Sequence, residues 1–144
     1  MIQHNIKTLQ FARYNYLNLI KDLSVEQLNM IPEGFNNNLI WNFAHSVVVQ
    51  KLLIYALSGN KTSLPKELSE KYRNGTKPEG FADADEVKLW KELALSSVND
   101  LELDYQNGIF QTYKAFSTST GFDVSNVDDA ITFNNYHEGL HFGV

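Results

Sequence analysis

NLIWNFAHSVVVQKLLIYALSG, residues 38–59, is the most apolar stretch of the chain. It opens behind three asparagines, Asn36, Asn37 and Asn38, any of which can cap a helix by accepting from first-turn N–H groups. It closes on Gly59, the residue type that lets a helix end in the left-handed region. Between these ends nearly every face is apolar, which marks a helix at the centre of a core. The run Val47-Val48-Val49 argues locally for a strand, because β-branched side chains lose rotamer freedom in helices. The length of the stretch and its clean ends outweigh that preference. Asn42 and His45 interrupt the apolar surface three residues apart on one side. Burying such groups without partners costs about 1–3 kcal/mol each, so two side by side point to a shared partner.

Working outward, residues 2–22 place Ile6, Leu9, Tyr16, Leu17 and Ile20 at helical spacing. Ser24 caps a short turn through SVEQLNM, which Pro32 and Gly34 end. Residues 60–82 form a long connection, with PKELSEKY as a short exposed helix carrying Pro65 in its first turn. A connection this long frees the second and third long helices from being antiparallel neighbours. The third starts at Asp83, with Glu86 at capping-box spacing. It lines up Val87, Trp90, Leu93, Ala94, Val98, Leu101 and Tyr105, and ends at Asn107-Gly108. Residues 109–125 have no helical period and read as an extended segment with short strand-like pieces over the helices. Ser125 caps the last helix, with Asp128 and Asp129 at the positive end of its dipole. The expectation is an all-α protein in which four long helices form one domain over residues 1–144.

Composition narrows the function. The net charge is -5, from 12 Lys and Arg against 17 Asp and Glu, and no basic run occurs. That argues against nucleic acid as a partner, which needs a concentrated basic face. There is no cysteine, so any metal is held by histidine, carboxylate or water. The opening MIQHNIKTLQ lacks the apolar centre of a signal peptide, and no apolar run is read as reaching the roughly 20 residues that span a membrane. A cytoplasmic protein without membrane partners is expected. No Ser-His-Asp arrangement or phosphate loop is present.

His137 to His141 read H-E-x-x-H, the metalloprotease type of zinc signature. On a helix the two imidazoles face the same way and can grip one cation. A protease of this type takes a third ligand from further on, and only Phe142, Gly143 and Val144 follow here. The third ligand is therefore expected upstream, and His45 is the histidine that stands in a strong helix. The last helix carries Asn134, His137, Glu138 and His141 on one face and Val127, Ile131, Leu140 and Phe142 opposite. Pattern alone does not say which face turns inward.

WNFAHSVVVQKLL followed much later by NNYHEGLHFGV resembles the DinB-like (DinB/YfiT-like) metalloenzyme family. The resemblance covers most of the chain, and H-E-G-x-H-x-G is its most specific part. It implies a four-helix bundle with up-down-down-up connectivity and a long crossover. It implies a divalent metal, zinc or nickel, held by His45, His137 and His141 with an open position for water or substrate. Characterised relatives include S-transferases and a maleylpyruvate isomerase that use low-molecular-weight thiols such as bacillithiol or mycothiol. A homodimer is expected on the same ground.

Two classes of function follow. In the first, the chain is a metal-dependent enzyme, a thiol S-transferase or a hydrolase-like relative acting on a small molecule. Glu138 is then the candidate acid/base, and Asn42 and Asn134 the substrate-binding groups. In the second, the bundle is non-catalytic, its histidines bind a structural metal or nothing, and its role is association.

Overall fold

The computed structural model describes residues 1–144. Its long helices are α1 (Ile2–Ile20), α3 (Leu39–Gln50), α5 (Ala84–Gln106) and α6 (Val127–Gly143). Two short ones, α2 (Val25–Asn29) and α4 (Lys66–Tyr72), lie in the connections. The cap of α3 is Asn38, whose Oδ1 accepts from the Trp41 N–H at 2.9 Å. Its Nδ2 donates to the Asn29 carbonyl at 2.9 Å, which ties α2 to the start of the central helix. Ser24 and Gln27 form a complete reciprocal capping box on α2.

Helix α3 does not stop at Gln50. It continues through a π turn (Lys51–Tyr55), where the Ala56 N–H is shared between the Leu52 and Lys51 carbonyls, and a 3-10 turn (Ala56–Ser58). It ends at Gly59 with φ 76°. The whole run, Leu39–Ser58, is 20 residues long and apolar enough to cross a membrane. That corrects the expectation that no run reaches this length, but most of it is buried inside the bundle, so the core uses its apolar surface.

Cross-helix contacts give the directions. Asn5 bonds Thr132, Arg13 bonds Glu138 and Tyr16 packs on Phe142, so α1 and α6 run parallel. Gln10 reaches Asn99 while Arg13 reaches Ala94, so α1 and α5 are antiparallel. Gln50 bonds Ser97 and Tyr55 bonds Asp104, which makes α3 and α5 parallel, as the long connection between them allows. Asn42 meets His141 and His45 meets His137, so α3 and α6 are antiparallel. The result is an up-down-down-up bundle in which α1 and α3 lie across a diagonal, each packed between α5 and α6.

The core has two apolar layers. One surrounds Tyr16, Trp41, Phe43, Tyr72 and Trp90; the other surrounds Ile6, Leu9, Ile54, Leu101 and Ile131. Between them runs a layer of buried polar groups: Arg13, Ser46, Gln50, Ser97, Asn134 and Glu138. Residues 109–125 lie over the second layer, as expected of an extended segment. Strands β1 (Phe116–Ser117) and β2 (Asp123–Val124) pair antiparallel. The Tyr113 hydroxyl donates to the Leu53 carbonyl, and the Lys114 N–H to that of Leu57.

Two local expectations change, and one open point is decided. The cap of α6 is Asn126, whose Oδ1 accepts from the Asp129 N–H at 2.8 Å. Ser125 sits one residue earlier and donates its own N–H to Asp129. The polar face of α6 turns inward: Asn134 and Glu138 are buried with Ala130 and Ile131, while Leu140 and Phe142 are exposed. Helix α4 is not a purely exposed appendage, because Tyr72 is buried and packs edge-on against Trp90.

Candidate metal centre

His45 comes from the buried face of α3, His137 and His141 from successive turns of α6. Each offers one ring nitrogen, and these three atoms lie within 4.8 Å of one another, a grouping that could hold a metal ion. His137 Nε2 is 3.3 Å from His45 Nε2 and 3.2 Å from His141 Nε2. Two nitrogens bound to one zinc at about 2.0–2.1 Å and the tetrahedral angle are about 3.3–3.4 Å apart. The observed spacing therefore suits a shared cation.

The outer nitrogens fix two of the tautomers. His45 Nδ1 is 2.7 Å from the Tyr72 carbonyl, which can only accept, so Nδ1 carries the proton and Nε2 keeps a lone pair. For His141 the argument takes one more step. Asn42 Nδ2 donates to the Asn38 carbonyl at 2.9 Å and to Asn37 Oδ1 at 3.1 Å. Its Oδ1 must therefore be the atom facing His141 Nδ1 at 2.8 Å, and it accepts. His141 Nε2 is left with a free lone pair as well. Between these two lone pairs sits His137 Nε2. Whichever tautomer His137 adopts, it can satisfy at most one neighbour, and the remaining acceptors face each other. His137 Nδ1 is buried without a partner.

A proton is a poor remedy. Burial, then the charges of His141, His45 and Arg13, push His137 down to about 3. Burial and His45 push His141 down to about 4. Burial also lowers His45, against the Tyr72 carbonyl and the Glu138 charge. All three rings are thus neutral at pH 7, the form that ligates a metal. Trp41 stacks flat on His45, with ring centroids 4.5 Å apart at 12°, and limits its rotation.

Beneath the histidines, Arg13 spans all four long helices. Its Nε donates to Glu138 Oε1 at 2.5 Å and its Nη2 to Oε2 at 3.1 Å. Its Nη1 reaches the Ala94 carbonyl and Ser97 Oγ, and Nη2 the Ser46 carbonyl. Arg13 is 0% exposed and Glu138 1%. Glu138 therefore lies in a buried ion pair with α1. Asn134 is also fully buried, and neither of its amide atoms has a partner. Asn42, by contrast, lines a cleft of about 350 Å³ together with His141, Tyr16, Phe35, Leu39 and Phe142. The structure thus brings Asn42 to the cleft and holds Asn134 and Glu138 in the core.

Sequence reading missed Arg13 and the Tyr72 carbonyl. Arg13 had a signal: it falls in the stripe Ile6, Leu9, Tyr16 and Ile20, where a charge is out of place. The carbonyl had none, because a backbone acceptor leaves no trace in residue type.

No curated protein matches the chain. A family model described as the DinB superfamily matches residues 8–144, which takes in most of α1, the other three long helices whole and all three clustered histidines. The match covers nearly the whole chain, and the chain belongs to the DinB superfamily.

Proposed function

We propose that the chain is a metal-dependent enzyme in which His45, His137 and His141 hold a divalent cation, zinc or nickel, and a low-molecular-weight thiol is transferred to a small-molecule substrate in the adjoining cleft. The observation that carries this reading is the convergence of the Nε2 atoms at 3.2–3.3 Å beside an accessible cleft. When bound, the cation supplies positive charge that lowers the pKa of a thiol or water brought to it. The soft sulfur ligand comes from the substrate side, since the chain has no cysteine.

The protein residues have separate parts. Asn42 and the Tyr72 carbonyl hold two imidazoles in the ligating tautomer, and such outer partners commonly matter 10–100-fold to affinity, a rough range. Phe35, Leu39 and Phe142 keep one wall of the cleft apolar, which favours an apolar portion on the substrate. Glu138, held by Arg13, acts as a fixed negative charge beneath the rings rather than as a mobile proton carrier. The homodimer expected from the family belongs to the same proposal and is read by sedimentation velocity.

The test is a thiol-transfer screen with small electrophiles, run on the metal-loaded protein, on chelator-treated protein and on His45→Ala. Activity that disappears in the last two while circular dichroism stays unchanged supports the reading. A fully loaded protein inert toward every thiol and electrophile class would leave the bundle as a metal-binding module.

A further inference from the structure

Six residues along α3 from His45, the first residue of the π turn is Lys51. It is 3% exposed, yet its side chain makes no hydrogen bond and joins none of the chain's ion pairs. Its Nζ stands 4.8 Å over the Tyr55 ring. Tyr55 gives its hydroxyl proton to Asp104 at 2.5 Å, so that carboxylate is already engaged. Asp100 stands exposed on the same helix, one turn before Asp104. Together with Lys61, Ser63 and Asn107, these residues line a groove of about 320 Å³ between the π turn of α3 and the end of α5. None of them belongs to the histidine cluster. Lysine is rarely buried without a pair; here the residue is almost wholly covered and its amine is left open to a polar groove. Single π turns inside α-helices are frequent at functional sites.

We propose that Lys51 is the nucleophile of a second small-molecule site, which captures small polar aldehydes as imines. The unprotonated Nζ adds its lone pair to the carbonyl carbon, and the carbonyl oxygen takes up a proton. The C–O bond then breaks, the oxygen leaves as water with the two amine hydrogens accounted for, and a C=N bond forms. No oxidant or reductant is consumed. Asp100, an exposed residue of the groove lining, is the group we assign to move the proton. Burial drives Lys51 below the ordinary lysine range, opposed by the charges of Asp100 and Asp104, and so raises the share of neutral amine.

The test is reductive trapping. The full chain is incubated at pH 7 with glyoxylate and cyanoborohydride, and adducts at every lysine are quantified by peptide mass spectrometry. Lys51 is expected to label faster than every exposed lysine, because its buried amine holds a larger neutral share at pH 7. The rate should saturate with aldehyde and stay unchanged when a chelator strips the histidine site. Labelling of Lys51 at or below the rate of the exposed lysines overturns the proposal. So does a rate that rises linearly with aldehyde, which denotes simple surface reactivity. Because the wild-type peptide map alone decides this, a misfolded Lys51→Arg would not affect the outcome; a folded one should lose the fast, saturable adduct.

Discussion

At the scale of single residues, the arrangement turns on what is paired with what. Arg13 and Glu138 are worth little as a net attraction once desolvation is counted, but leaving one without the other strands a buried charge. Arg13→Met is therefore expected to destabilise the fold by about 3–5 kcal/mol in urea unfolding, and Arg13→Met with Glu138→Met to recover most of that loss. If the double variant is no better than the single one, the pair is not the source of the effect. Asn42→Ala removes the acceptor that fixes His141. Metal affinity should fall roughly 10–100-fold in a competition titration with a chromophoric chelator, with unfolding barely changed. Asn42 and His45 were legible in the sequence because each breaks an apolar surface. Arg13 breaks one just as plainly, yet a single charge in an amphipathic helix is easily assigned to the solvated side.

At the scale of elements, ends were easier to read than faces. The Asn38 and Gly59 boundaries of the central helix follow from side-chain acceptors and a left-handed φ, both written in residue type. Asn38→Ala removes the cap of α3 and the bond to α2, and should cost about 1–2 kcal/mol by chemical denaturation. An unchanged midpoint would mean that one of the neighbouring asparagines takes over. The cap of α6 shifted by one residue, since Ser125 and Asn126 are both good caps and only the backbone path chooses between them. The inward face of α6 was not legible at all. Its polar residues are buried because α1 and α3 bring Arg13, Asn42 and His45 to meet them, which is information held by other elements. The π turn in α3 is likewise absent from the local pattern.

At the scale of the molecule, the parallel run of α3 and α5 requires the long connection, and that connection returns the favour by placing the Tyr72 carbonyl on His45. The depressed histidines also make the metal-free bundle acid-sensitive. In the unfolded chain a histidine titrates near about 6.5, whereas His141 and His137 are held down to about 4 and about 3. Between those values the unfolded chain binds more protons, so stability is fully present above about pH 6.5 and declines as pH falls toward 4. The melting temperature of chelator-treated protein should drop across that window more than that of His137→Ala; equal slopes would remove these rings as the cause. The central claim is that α3 and α6 meet at one cation. Elemental mass spectrometry on untagged wild type and on His45→Ala tests it most directly. We predict about one divalent metal per chain in the wild type, near the stoichiometry of a single three-histidine site, and almost none in the variant. Metal retained in full without His45, or none taken up by the wild type after reconstitution, would contradict the account.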